Sequence, residues 1–432
     1  MTSPIILGGG LAGLSVAYHL GGGYTIYEKE DRPGGLCRSD QLEGFLFDRS
    51  GHLLHFRNDY TRKLVEKLLK GNLISHSRRA WVYSKGVYTR YPFQANTYGL
   101  PAEVVADCLI GFIEAQRRDR ITPNTRFKNF EDWILRNFGR GIATHFMLPY
   151  NEKMWTLPPR ELTTEWLDPY VPRPSLKEVV LGALTEQEKP FGYNAEFSYP
   201  RRGGIEALVR ALAKDVKPIF TGYRAERIDW KRQLIRFANG AEAPYSYLVS
   251  TISLPELMRM LTPAPPNLLQ AAAELRFCSV YNINFGISRK NISNKHWVYF
   301  PEKEFSFYRV GFPANFSPQV APLQASSVYT EVSYSSSRPL DKLTIINRVK
   351  EDLQRAGIIK SPKEVIAEKV FDIKYAYVIY DHSYRKNVRV LHQFLQRNRI
   401  FSIGRFGGWK YSSMEDAILD GRATAERIAK SL

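Results

Sequence analysis

The stretch Pro4-Ile5-Ile6-Leu7, followed at once by Gly8-Gly9-Gly10-Leu11-Ala12-Gly13, limits this chain more than any other part of it. A short apolar run reads as a buried strand, the glycines as a tight turn, and the spacing of Val16, Ala17 and Leu20 as a helix. In such a unit the glycines let the backbone approach a pyrophosphate, whose charge is held by the free N–H groups and positive dipole end of the helix. A glycine-rich turn alone is a weak signal. Here a second strand, Tyr24-Thr25-Ile26-Tyr27, ends in Glu28, twenty residues beyond Gly8, where a carboxylate can accept from an adenosine ribose. Together these predict a dinucleotide-binding α/β unit with Gly8, Gly10, Leu11, Ala12, Gly13, Glu28 and the adjoining Lys29 at the ligand.

A second turn, Gly34-Gly35-Leu36, is one that nicotinamide dehydrogenases do not need. A bound FAD runs its extended pyrophosphate past such a turn. FAD is therefore the expected cofactor, with Gly35 and Leu36 beside it and Arg38 reaching the pyrophosphate. The turn Ser50-Gly51-His52 closes the flavin-contacting segment, and His52 reads either as a core histidine bonded to backbone or as a flavin-side group. The chain ends on another strand (Phe401-Ser402-Ile403), a glycine turn containing Arg405, and a helix from Met414. Its first turn, Met414 to Ala417, points free N–H groups at a flavin pyrimidine. A cofactor held by both chain ends makes the nucleotide domain discontinuous.

At 432 residues the chain can form two or more domains. The expected fold is α/β: a discontinuous Rossmann-like FAD-binding domain (1–60, 195–260 and 396–432), an inserted helical domain (97–194), and a mixed β-sheet substrate domain (61–96 and 261–395). A helix is expected from Asn58 to Leu73 and a hairpin around Ser84-Lys85-Gly86. The net charge of +18 suggests an anionic ligand, while the dispersal of basic residues such as Arg117, Lys410 and Arg422 argues against nucleic acid. Cys37, Cys108 and Cys278 lack the spacing of a metal framework or a disulfide scaffold, so no metal and a reducing cytoplasm are expected. No run of 18 apolar residues predicts a transmembrane helix.

Two segments combine aromatics with amides: Arg90-Tyr91-Pro92-Phe93-Gln94-Ala95-Asn96, and Phe146 through Tyr150-Asn151 to Trp155. They suit stacking on a planar base, or else form a hinge and a helix core. With these in order, the chain resembles the flavin-dependent UDP-galactopyranose mutases, nearer the eukaryotic-type branch, among the amine oxidase and protoporphyrinogen oxidase-like FAD proteins. The other matching motifs are Ser50-Gly51-His52, Tyr199-Pro200 with Arg202-Gly203-Gly204, Trp297 through Glu302, Phe307-Tyr308-Arg309, and Gly404-Arg405-Phe406-Gly407 with Trp409 and Tyr411.

The resemblance implies an isomerase in which N5 of reduced FAD attacks the anomeric carbon of a uridine nucleotide sugar. The ring opens and recloses, interconverting pyranose and furanose with no net redox, and NAD(P)H arms the flavin. It places Tyr91, Phe93, Gln94, Phe146, Asn151 and Trp155 on the uridine side and Asn194 and Trp297 in the pocket lining. Arg309, Tyr299, Tyr377 and Tyr411 fall at the phosphates and, with His52, form the catalytic set; Arg405 falls near the flavin and Arg78 at the reducing nucleotide. One departure stands out, because Tyr170 occupies a position where the family has a phosphate-binding arginine, with Arg173 three residues on. A phenol does not replace a bidentate charge, so the sugar and the number of phosphates stay open. The competing reading is an FAD oxidoreductase of the amine oxidase type, which would not need the uridine-side set.

Overall fold

The computed structural model describes residues 3–431 except 122–125, 169, 188, 190 and 193. Its organising element is a five-stranded parallel sheet in the order Ile400–Ser402, Leu248–Ser250, Ile5–Leu7, Thr25–Tyr27, Ile219–Phe220. Widely separated stretches of chain supply these five strands, so the sheet closes only when both chain ends have met. The central strand Ile5–Leu7 is buried on both faces, as an apolar run in a parallel sheet requires. Helices Leu11–Leu20 and Met414–Ala429 pack against each other beside it. Their approach is close because Gly421 faces Ser15, whose Oγ donates to the carbonyl of Ile418 at 2.7 Å. A Cβ on Gly421 would lie 2.5 Å from that of Ser15.

The largest sheet has seven strands, in the order Val365–Val378, Phe277–Ile287, Ser326–Tyr334, Arg309–Gly311, Trp297–Tyr299, Ala80–Ser84, Val87–Arg90. Its period-two alternation separates two faces. Val298, Val310, Val328 and Val332 join a core covered by Ile345, Val349 and Leu353 of the helix Ile345–Arg355. Tyr299, Arg309, Tyr329 and Glu331, at the alternate positions, go to the opposite face. Strand register then sets Tyr299, Arg309, Glu331 and Asn282 side by side on four neighbouring strands.

A run of helices follows the first part of the large sheet in the chain: Ala102–Ile121, Phe130–Ile142, Leu148–Trp155 and Leu176–Leu184. The first two cross closely where Gly139 (φ 76°) meets Gly111, whose carbonyl oxygen a Cβ on Gly139 would strike at 1.9 Å. The helix expected over Asn58 to Leu73 is Asp59–Leu69, capped by the Asn58 side chain. Lys70 and Gly71, both at positive φ, end it and free Ile74–Ser77 to pair with Glu196–Tyr199. No helix among the described residues is long and apolar enough to cross a membrane.

The helix contact between the two chain ends gives a direct test. Gly421→Leu is expected to lower stability by about 1–3 kcal/mol through overpacking against Ser15, read as a fall in urea midpoint with unchanged m-value. An unchanged midpoint would contradict the close approach.

Candidate active site

A cavity of about 1430 Å³ runs from the nucleotide sheet to the open face of the seven-stranded sheet. At one end it is walled by Glu28, Lys29, Tyr223 and Arg224; it then passes Gly8, Gly10, Leu11, Ala12, Gly35 and Leu36, and reaches Met414 and Ala417. Gly8 (φ 102°) leaves room that a Cβ would fill, only 2.1 Å from Thr251 Oγ1. Gly13 serves packing instead of lining, since a Cβ there would meet the Gly8 carbonyl oxygen at 2.0 Å. Glu28 accepts from the N–H of Gly9 at 2.6 Å and of Glu30 at 2.9 Å, so it braces the glycine turn as well as walling the cavity. Two helix N-termini, those of Leu11–Leu20 and Met414–Ala429, open on the same groove.

Arg38 is not among the residues lining this cavity. Its guanidinium lies beside Asp31 (2.9 Å) and Glu30 (3.8 Å), its Nε and Nη1 are buried without hydrogen-bond partners, and it lines a separate small pocket with Arg32, Asp40 and Glu206. Arg49, to which no role attaches in the sequence, lines the main cavity in its stead.

At the flavin end, Ser50 takes the left-handed conformation (φ 74°), uncommon for a residue with a Cβ. Two bonds hold it there. Its N–H donates to Asn282 Oδ1 at 3.0 Å and its hydroxyl donates to Glu331, so the Ser50-Gly51-His52 turn is docked on the cross-strand row. His52 is half-buried at the cavity wall, and desolvation pushes its imidazole down to about 4 against a backbone hydrogen bond with Ser50, while its Nδ1 has no protein partner. It is neutral at pH 7.

Glu331 is fully buried and takes Arg309 in a bidentate pair, Nε at 2.7 Å and Nη2 at 2.8 Å. Burial alone would raise the Glu331 carboxyl, but the Arg309 charge and the bonds from Arg309, Ser50 and Tyr308 outweigh it and hold it below the usual range. The remaining wall is phenolic. Tyr91 lies 5.0 Å from Tyr299, Tyr170 sits edge-on to Tyr411 at 4.7 Å, and Tyr377 stacks parallel to Tyr411 at 6.1 Å. Arg405 lies over the rings of Tyr377 (5.2 Å) and Tyr411 (4.9 Å) and donates to the carbonyls of Ala376 and Ser412. Burial raises the hydroxyls of Tyr91, Tyr170, Tyr299 and Tyr377, so at neutral pH each is a donor. Trp297 and Asn194 complete the lining.

Other named residues stand outside that lining. Phe93 stacks on Phe146 at 4.9 Å, Asn151 donates to the carbonyl of Met147, and Gln94 donates to that of Pro172. Trp155 is edge-on to Trp166 (4.9 Å) and Tyr377 (5.5 Å), immediately behind the tyrosine wall. Gln94 Oε1 and the indole N–H groups of Trp155 and Trp166 are buried without protein partners. Arg173 points away, more than half exposed and 4.0 Å from Asp168. Arg78 is occupied by Asn194 and the carbonyl of Phe191 and lies 4.8 Å over the Tyr91 ring, propping the pocket mouth. Tyr329, Tyr223 and Arg224 join the cavity without having been singled out in the sequence, and Tyr308, part of the Phe307-Tyr308-Arg309 motif, joins it too; for Tyr329 the strand alternation carried the signal.

The glycine cradle, the paired helix N-termini and the unpartnered His52 Nδ1 suit an extended dinucleotide ending in a flavin, and fold and groove together define an FAD-binding flavoprotein. The chain belongs to the flavin containing amine oxidoreductase family, whose model matches residues 11–429. Among solved structures it is similar to a reduced UDP-galactopyranose mutase, with 27% identity, a TM-score of 0.94, and coverage of 100% of this chain and 96% of that one. It shares its fold with a putrescine oxidase bound to putrescine (14%, TM-score 0.67, 99% of each chain). The same holds for a fatty acid isomerase producing CLA from P. acnes (13%, TM-score 0.68, 99% and 98%).

Two measurements test this geometry. Glu331→Gln leaves Arg309 without its counter-charge and is expected to cost about 3–5 kcal/mol of stability, seen in chemical denaturation; a loss under 1 kcal/mol would contradict the buried pair. For His52, the folded value of about 4 lies below the ordinary 6.5, so the unfolded chain binds the extra proton and stability falls as pH drops from about 6.5 to about 4. His52→Gln is expected to flatten that acid limb of the melting temperature; an unaltered slope would place the histidine in water.

Proposed function

We propose that the chain is an FAD-dependent nucleotide-sugar mutase, an isomerase that interconverts pyranose and furanose forms of a uridine nucleotide sugar or a close relative. The observation that carries this reading is the wall of protonated phenols and two guanidinium groups beside His52, a set that grips phosphate and that amine oxidation does not call for. The whole-length similarity to a reduced UDP-galactopyranose mutase supports it.

Bound and reduced, FAD supplies the nucleophile for exchange at the anomeric carbon. The chain's own groups bind and orient. Arg309, Tyr299, Tyr377 and Tyr411 hold the phosphate that leaves and returns, so the nucleotide stays in place while the sugar ring opens and recloses. Arg309 is fixed by Glu331 before substrate arrives, so little reorganisation is left for the bound state. His52, neutral in its turn, adds no positive charge that would oppose positive charge developing at the anomeric carbon as the phosphate leaves. No net redox occurs, and NAD(P)H is the reductant we assign to arming the flavin. The segments 1–60, 195–260 and 396–432 form the proposed FAD-binding unit, with 97–194 and the large sheet closing the substrate side.

The test is incubation of the dithionite-reduced protein with a panel of uridine nucleotide sugars, with chromatographic separation of ring isomers. Interconversion by the reduced form alone is expected. Oxygen-consuming turnover of an amine by the oxidised form, without isomerisation, would contradict the reading. Arg309→Ala is expected to weaken nucleotide binding by about 1.5–3 kcal/mol, the scale of a charged hydrogen bond; unchanged affinity would remove Arg309 from the site.

A further inference from the structure

Arg49 lines the main cavity with its hydrogen bonds unmet. Its side chain is 24% exposed, yet its Nε is buried without a partner. The carboxylate that faces it, Asp40, stands 3.7 Å from Nη2, outside hydrogen-bond reach, and already accepts from Arg32 at 2.7 Å. The guanidinium carbon lies 5.5 Å from the centre of the Phe371 ring, which lines the same cavity. Burial, and after it the neighbouring Arg38 charge, lower the Arg49 pKa from the ordinary arginine value. A cation in that state is short of counter-charge.

Backbone bonds fix where along the cavity it stands. The Arg49 N–H donates to the Arg38 carbonyl at 3.4 Å, the Cys37 N–H to that of Gly34 at 2.9 Å, and the Gly34 N–H to that of Gly9 at 2.8 Å. Arg49 is thus tied through the second glycine turn to the first, from which the helix Leu11–Leu20 starts. Other cations of the lining belong elsewhere. Lys29 and Arg224 wall the Glu28 end, Arg309 and Arg405 stand at the His52 end, Lys374 is paired with Glu256, and Arg259 donates to the Tyr375 hydroxyl. A dinucleotide laid along the glycine turns, with its adenosine at Glu28 and its flavin at His52, brings its pyrophosphate between those ends. Phosphate oxygens accept two N–H groups of one guanidinium at once.

We infer that Arg49 is the guanidinium ligand of the FAD pyrophosphate, one charged side chain completing a cradle otherwise made of backbone N–H groups. Arg38, to which the sequence pointed for this contact, is absent from the cavity lining. The assignment rests on FAD binding alone and stands or falls independently of the mutase reading.

The experiment is dilution of the FAD-loaded protein, with released FAD read by its fluorescence, in wild type, Arg49→Gln and Arg49→Lys. Arg49→Gln is expected to raise the FAD dissociation constant at least tenfold, and Arg49→Lys, which keeps the charge, to recover at least threefold of that loss. With FAD in excess, the flavin bound to Arg49→Gln is expected to keep the wild-type absorption spectrum and reduction potential, because a ligand of the pyrophosphate does not touch the ring system. A rise of less than tenfold overturns the inference. So does weakened affinity with a displaced potential, which puts Arg49 at the flavin ring, or weakened affinity that lysine does not recover, which makes the effect one of packing. If Arg49→Gln is not obtained folded, the wild-type protein decides: FAD release is expected to rise at least threefold between about 0.05 M and about 0.5 M KCl as the charge contact is screened, and a smaller rise overturns the inference.

Discussion

The bidentate pair between Arg309 and Glu331 is the interaction on which the rest of the site depends. A carboxylate buried without a partner is among the most costly features a protein can carry, and a buried arginine is little better. Each is tolerable here only because strand register sets them opposite one another, and because Ser50 and Tyr308 fill the remaining acceptor positions of Glu331. The same register brings Asn282 alongside to receive the Ser50 N–H. One row of four side chains on the sheet thus fixes both the Arg309 guanidinium, the proposed phosphate ligand, and the turn that carries His52. The two ends of the cavity are coupled by cross-strand register.

The nucleotide half was legible in the sequence because its signals are local. Gly8 to Gly13, Glu28 and the terminal strand-turn-helix each announce themselves within a few residues, and the parallel sheet joins them as the pattern implied. The motifs around Tyr91, Tyr299, Arg309, Tyr377 and Tyr411 were also legible, and they meet at one cavity. What the sequence hid is pairwise and distant. Nothing near position 309 says that its partner is Glu331, and nothing near Ser50 says that its strained backbone is held by residues more than 230 positions away. Arg38 shows a local limit of the same kind: it is absent from the cavity lining, with Asp31 and Glu30, close in sequence, beside its guanidinium. Phe93 and Phe146 illustrate a third limit, since aromatics that suit a base also suit each other, and here they stack behind the wall.

Electrostatics at this site divide its cations into two groups. The chain carries a net +18, and around this cavity Arg49 is answered by Asp40, Lys374 by Glu256, Arg57 by Glu415 and Asp416, and Arg309 by Glu331, whereas Arg78 and Arg405 bond to neutral oxygens. On the proposed function, recognition there falls largely to hydrogen bonds from the phenols, which are directional and uncharged. The shared fold alone does not decide between amine oxidation and sugar isomerisation; the phenolic wall and its fixed arginine are what the mutase proposal rests on.

The most direct test of that central claim is to treat the reduced protein, turning over a nucleotide sugar, with cyanoborohydride and to weigh the released flavin by mass spectrometry. A flavin heavier by one sugar residue, formed only in the reduced protein, is the predicted result. An unmodified flavin, together with isomerisation-free consumption of oxygen on an amine, would contradict the account.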